Sequence, residues 1–201
     1  MNKNYYEVMK MRRSMYALTR ETTIDQKEIR EVVEHSLNYT PSAFNSQSGR
    51  VVVLFGNDHD QFWDMTKSAL ISSQPEDRHE STEEKIDGFK NSYGTALFFE
   101  DYDTIESLQS QFPKAKDNFP IWSYQSSGML QYNIWTSLAA EGLGASLQHY
   151  NEAVEEEVKK QYNLPLKWKL MAQMPFGKPA EGAGEKDIID VNDKFKVFGS
   201  N

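Results

Sequence analysis

The chain has 201 residues, 38% hydrophobic and 12% aromatic, enough for one core-bearing domain. A net charge of -8 with no basic face argues against nucleic acid as the main partner, and the absence of cysteine excludes disulfides, thiolate metal sites and cysteine nucleophiles. No run approaches the roughly 18 consecutive apolar residues of a membrane span, and the start, MNKNYYEVMKMRRS, has no long apolar stretch after its charges, so the expected placement is cytoplasmic, away from membranes.

In chain order, Asn4 to Met11 reads as a helix with Tyr5, Val8, Met9 and Met11 on its apolar side. Arg12, Arg13 and Ser14 follow at once. Two guanidiniums and a hydroxyl form a donor cluster suited to a phosphate monoester, although most surface arginine pairs are simply solvated. Thr23 or Asp25 can cap the next helix, whose Ile29, Val32, Val33 and Leu37 keep helical spacing to about Tyr39. The loop from Thr40 to Gly49 is small and polar around Phe44. Its Asn45 and Gln47 each carry a donor and an acceptor, as reading a heterocycle edge requires; a self-capped turn would also explain them.

Val51 to Phe55 is an apolar, β-branched run expected to form a strand buried on both faces. Asp58 can cap a helix that turns Phe62, Trp63, Met65, Thr66, Ala69 and Leu70 inward; His59 beside Asp58 and Asp60 lacks further metal ligands at a useful spacing. Ser72 to Ser92 turns polar around PEDRHESTEEK, a solvated helix-loop excursion or a lid. Tyr93 to Phe99 returns as a second buried strand, and Asp103 to Gln111 as a short helix.

Asn118 can then cap the longest element, with Pro120 tolerated in its first turn. Within WSYQSSGMLQYNIWTSLAAEGLGASLQHYN, Gly128, Tyr132, Trp135, Ala139 and Gly142 recur at steps of four and three, while Met129, Ile134, Leu138 and Leu143 make the other sides apolar. Such a helix belongs inside. Gly142 and Gly144 end it, and Ala145 to Tyr150 leaves as an extended segment, which is either an ordinary C-cap or a place where backbone amides face a flat ligand. Glu152 to Tyr162 reads as a helix and Trp168 to Met174 as a third strand ended by PFGKP. The tail beyond Ala180 carries Lys186 and six apolar residues, Ile188, Ile189, Val191, Phe195, Val197 and Phe198, for which a partner subunit is a candidate cover. With no repeat and no dividing linker, the expectation is one domain over residues 1–201 with a polar excursion near 72–92.

Neither a GxGxxG turn after a strand nor a P-loop is present, and the four histidines do not converge with a serine or carboxylate on a hydrolase pattern. Taken in order, RRS near the start, PSAFNSQ, a long apolar helix ending EGLGASL, and PFGKP with a basic residue beyond resemble the nitroreductase family of flavoproteins over nearly the whole chain. The SLQHYN continuation and the short tail are similar to its fungal and bacterial branch. The resemblance implies an α+β fold, a central mixed β-sheet surrounded by helices with the long helix buried at its centre, and a homodimer with FMN at the interface. It implies that Arg12, Arg13 and Ser14 hold the phosphate and nearby ribityl oxygens, with Lys186 as a second phosphate contact where the family commonly has Arg. Ser42, Ala43, Asn45 and Gln47 would contact the ribityl chain and ring edge, Gly144 and Ala145 would present backbone N–H groups to the reactive edge, and Gln125, Ser126 and Ser127 would come from the partner subunit.

The implied activity is NADH- or NADPH-dependent reduction of a small nitroaromatic or quinone-type acceptor by ping-pong hydride transfer through the flavin, with no catalytic side chain and no metal. A competing reading is a flavin-binding sensor or regulatory protein in stress or lipid signalling, using the acidic stretch Glu76 to Glu84 as a docking surface. A flavin-free α+β domain is the third.

Overall fold

Residues 4–199 are described by a computed structural model of the chain. The first helix, α1 (Tyr5–Met11), is fixed by a reciprocal capping box between Asn4 and Glu7. After the short strand β1 (Leu18–Thr19), Asp25 rather than Thr23 caps α2 (Gln26–Tyr39) through a second box with Glu28. The Thr23 hydroxyl is used elsewhere, donating to the Glu141 carbonyl at 2.6 Å.

Strand β2 (Gly49–Phe55) leads into α3 (Gly56–Ser73), whose N-cap is Phe55 with no side-chain cap bond; Asp58 therefore lies inside the helix. The polar stretch that follows is helical. It folds as a 3-10 turn (Glu76–Arg78) and α4 (His79–Lys90), burying Ile86 and Phe89. Ion pairs Lys90–Asp64 and Lys67–Asp87 show α4 running antiparallel to α3. Its composition is polar because a two-helix layer needs only one apolar stripe per helix.

Because α3 and α4 go out and come back, β3 (Gly94–Asp101) returns beside β2 in the opposite direction, Gly49 facing Glu100 and Phe55 facing Gly94. After α5 (Tyr102–Gln111), α6 (Asn118–Ala140), β4 (Gly144–Ala145) and α7 (Asn151–Gln161), the chain closes the sheet with β5 (Trp168–Pro179). The strand order is β1-β5-β3-β2, with β4 also on β5. Every ladder among the described residues is antiparallel; the mixed character expected of the sheet is confined to one parallel bridge, Ser14 to Ala145.

The two faces of the central strand feed two cores. Ala96 and Phe98 pack with Ile29, Ile134, Leu138 and Met174 under α2 and α6, whereas Leu97 and Phe99 pack with Phe62, Trp63, Val158 and Leu170 under α3 and α7. Strand β3 is buried from Gly94 to Glu100. Strand β2 is not buried on both faces as its apolar run suggested: only Leu54 is fully covered, because β2 is an edge with a single neighbour. Strand β5 runs past Met174 through PFGKP, since Pro175 and Pro179 both sit in ladder positions opposite Thr95 and Leu18.

Helix α6 starts earlier than Trp122, with Asp117 rather than Asn118 at its cap, and buries Phe119, Leu130, Ile134, Trp135 and Leu138. It stops as expected. Gly142 adopts φ 85°, its N–H reaches the Ala139 carbonyl at 3.1 Å and the Leu143 N–H reaches Leu138 at 2.9 Å, a Schellman ending that only a left-handed residue closes without strain. His59 also resolves structurally: it is buried, with Nδ1 2.9 Å from the Thr95 hydroxyl and Nε2 3.0 Å from the Lys90 carbonyl.

Candidate functional site

Two clusters of the sequence-derived residues form, both leaning on α6. The first gathers where α1 ends. Arg12 closes that helix through its N–H to Val8 at 2.9 Å, and this places its guanidinium 4.4 Å over the Trp135 ring and 5.8 Å over Tyr132. Stacking holds the planar group without using its donors, and Nε is buried with no hydrogen-bond partner. Two residues on, exposed Ser14 bridges to Ala145 while the Met15 N–H donates to the Ala145 carbonyl at 3.0 Å.

Gly144 and Ala145 themselves lie in β4, buried and paired with Gly177 and Phe176. A side chain at Gly144 would meet Met15 Sδ at 2.8 Å and Leu18 and Pro179 at 3.0 Å, so the close approach of the Ser14 segment depends on that glycine. Arg13 donates from Nη2 to the Glu185 carbonyl at 3.3 Å, which draws the tail and exposed Lys186 beside the arginine pair. A small cavity of about 120 Å³ separates Ser14–Ala17 from Glu181–Gly184. The structure thus brings Arg12, Arg13, Ser14, Gly144, Ala145 and Lys186 into one neighbourhood.

The second cluster is an arch between α2 and β2. Phe44, Asn45 and Gln47 all have positive φ, between 48° and 57°, a conformation in which non-glycine residues are strained. The surroundings determine it. The Gln47 N–H donates to the Ser42 hydroxyl at 2.9 Å, Arg50 Nη1 donates to the carbonyls of Gln47 at 2.6 Å and Gly49 at 3.0 Å, and Arg50 Nη2 is anchored on Asp101 at 2.7 Å. The Asp101 N–H donates to the Ser48 carbonyl at 2.9 Å. Phe44 packs its ring against Phe112, Phe119 and Trp122 at 4.8, 5.3 and 5.9 Å, tying the arch to α6.

Ser42, Gln47 and Ser126 share the wall of a cavity of about 320 Å³ with Glu100, Leu130 and Trp168. Asn45 is exposed on the arch, Ala43 is half-buried within it, and Gln125 is exposed on α6. Ser126 donates to the Trp122 carbonyl at 3.0 Å, and the buried Ser127 hydroxyl accepts from Gln131 at 3.0 Å, so Ser127 points into the helix packing and not toward the cavity wall.

Sequence reasoning passed over Glu100. It is the last fully buried residue of β3, where burial pushes its carboxyl up to about 7, with the Ser48 hydrogen bond and Arg50 opposing and Asp101 reinforcing. The available signal was an acidic residue closing the apolar run ALFF. Close by, the Tyr124 hydroxyl is 3.0 Å from both the Tyr102 hydroxyl and Lys169 Nζ; the hydrogen bond from Tyr102 and then Lys169 lower its pKa, while burial pushes Tyr102 up to about 12.

An α+β chain with this sheet, helix and pair of clusters superposes closely on solved nitroreductases. Nitroreductase CinD from Lactococcus lactis in complex with nicotinic acid overlays with a TM-score of 0.91 at 42% identity, covering 98% of this chain and 100% of that one; the same enzyme in complex with 4-nitrophenol gives 0.89 at 41%. In Saccharomyces cerevisiae, nitroreductase FRM2 is 33% identical over 189 residues, 93% of this chain and 94% of that protein. The chain matches the Nitroreductase family over residues 9–178, and it belongs to that family of oxidoreductases. These relatives are fungal and bacterial, as the SLQHYN segment and short tail suggested.

Proposed function

We propose that this nitroreductase-family oxidoreductase is an FMN-dependent NAD(P)H reductase working as a cytoplasmic homodimer. The observation that supports the proposal is the first cluster: a stacked guanidinium with a buried, unpartnered Nε is followed in the chain by a second arginine and an exposed serine, and that second arginine is bonded to the carbonyl of Glu185, the residue before Lys186, a set of donors suited to a phosphate monoester. The donor set fits an anion, and Arg12, Arg13, Ser14 and Lys186 would hold it. Bound there, FMN would supply the redox chemistry, taking hydride from NADH or NADPH at N5 and passing electrons to a nitroaromatic or quinone-type acceptor in a ping-pong cycle. The Ser14–Ala145 bridge orients the serine, and the polar atoms of Ser42, Asn45, Gln47 and Gln125 offer paired donors and acceptors for a ribityl chain or ring edge.

Within one chain no hydrogen bond among the described residues joins the two clusters, and Ser126 and Trp135 are separated by roughly 14 Å of helix. A second copy would complete each half. The apolar surface supports this: Tyr5, Tyr6 and Met9 on α1, Ile121, Tyr124 and Met129 on α6, and the tail up to Phe198 at 91% exposure are more than a solitary chain leaves bare. No described helix is long and apolar enough to cross a membrane. The acceptor class is favoured by the CinD complex with 4-nitrophenol.

The test is the visible absorption spectrum of the purified protein with added FMN, taken anaerobically before and after NADH. A flavin band that bleaches supports the proposal. A band that persists favours the sensor reading, and no bound flavin at all would remove the cofactor assignment.

A further inference from the structure

Glu100 is fully buried, yet only half of its carboxyl is satisfied: Ser48 donates to Oε2 at 2.6 Å and Oε1 has no partner. A carboxylate at this depth is costly, and nothing in the packing of β3 requires one. What it touches is the arch. Ser48 closes the segment whose Phe44, Asn45 and Gln47 are left-handed, and its neighbour Gly49 lies opposite Glu100 in the ladder. Ser46 is linked to the same hydroxyl at 3.4 Å.

We propose that Glu100 is the positioning residue of the arch: when ionised it fixes Ser48, and through Ser48 the turn that aims Ser42, Asn45 and Gln47, without itself contacting the ligand. The inference rests on the reading of that arch as a flavin contact. Protonation at Oε1 breaks no bond, because that atom has none to lose, but it changes Oε2 from an anionic acceptor to a neutral one, and charge-assisted hydrogen bonds are roughly twice as strong as neutral ones. The arch therefore loosens on acidification. The groups facing Glu100 are Arg50 from β2, which favours the anion, its neighbour Asp101, which disfavours it, Tyr124 from α6 and, across the ladder on β5, Lys169. Burial is the largest influence and brings the transition to about 7.

The experiment is an FMN titration of the wild type, Glu100→Gln and Ser48→Ala from about pH 5.5 to 8.5. FMN's own phosphate titrates near pH 6, so the readout is the ratio of wild-type to variant affinity at each pH. Expected is a ratio that rises roughly three- to tenfold with pH for both variants, the range a bond of this kind supports. A ratio constant across the range overturns the proposal. Amide exchange of residues 42–49 in flavin-free protein, wild type against Glu100→Gln at matched pH, keeps the two readings apart. If no form binds FMN, the cofactor reading fails, while an excess of wild-type over Glu100→Gln protection at these residues that grows with pH still supports the positioning role, and a pH-independent difference or one that grows in the variant's favour overturns it.

Discussion

The guanidinium of Arg12 lies 4.4 Å above the ring of Trp135, so that a residue at the end of α1 is aimed by a residue in the middle of α6. Lysine has neither the planar face to stack nor a donor at the position of Nε. Both Arg12→Ala and Arg12→Lys are therefore expected to weaken FMN binding by tenfold or more, measured by flavin fluorescence, with melting temperatures close to wild type. Retention of wild-type affinity in Arg12→Lys would show that the stacked geometry is irrelevant to the ligand.

Gly177 sits where β1, β5 and the start of β3 meet. A methyl group there would run into the Thr19 carbonyl and approach the Tyr93 nitrogen to 3.0 Å, and both are backbone atoms with little room to retreat. Gly177→Ala should destabilise by about 1–3 kcal/mol, the usual range for overpacking, lowering the melting temperature by several degrees. Gly88→Ala, at an exposed position inside α4, is the control, since nothing lies within 4 Å of a side chain there, and it should be neutral or slightly stabilising.

Stability should respond to pH through Glu100 with a definite sign. Its carboxyl is raised from 4.5 to about 7 on folding, so the folded state holds a proton that the unfolded chain has released. Between these values stability falls as pH rises; below about 4.5 the group costs nothing, and above about 7 the loss levels off at about 3 kcal/mol, an order-of-magnitude figure. Urea unfolding at pH 5 and pH 8 should show Glu100→Gln gaining on the wild type at the higher pH. A pH-independent difference between the two proteins would mean that the carboxyl is not perturbed.

His59 works in the opposite sense. Burial lowers its pKa below 6.5, with the Lys90 carbonyl opposing, so its contribution is present above 6.5 and lost as pH falls through the depressed value. Replacing it also leaves the Thr95 hydroxyl with Trp63 as its remaining side-chain partner. His59→Gln should therefore lose stability at pH 7 yet show less acid sensitivity than the wild type, by circular dichroism melts at pH 7 and pH 5.

Ile121 and Met129 belong to the stripe of α6 that the single chain leaves bare, 54% and 41% exposed. If that stripe is the dimer interface, Ile121→Asp with Met129→Asp should give a monomer by sedimentation with greatly reduced flavin occupancy. A dimer that survives both changes would place the interface elsewhere.

Much of this was readable from local chemistry. Asp25 and Glu28 announce α2 because a capping box needs only four residues, and Gly142 announces the end of α6 because its φ is set by its own backbone. The Arg12–Ser14 and Ser42–Gln47 segments were identifiable as donor-rich for the same reason. Less could be read where a property belongs to two segments at once. Val51 to Phe55 looked like a central strand, since a β-branched run is the same on an edge as in the middle, and only the ladder partner distinguishes them. PEDRHESTEEK read only as a solvated helix-loop excursion or a lid because the stripe that buries Ile86 and Phe89 is completed by α3.

By itself, then, the sequence determined most of the helices, the Asp25 cap of α2, the glycine end of the apolar central helix, and the kinds of donor that surround the site, because these depend on contacts within a turn or two of chain. The tertiary structure alone decided that the sheet is antiparallel, that Ser14 lies against Ala145, that Arg12 stacks on Trp135, and that Glu100 is buried under Ser48. Each joins residues some 50 to 130 positions apart or a whole set of strands, and burial, which sets the chemistry of Glu100, exists only once those distant segments have closed over it.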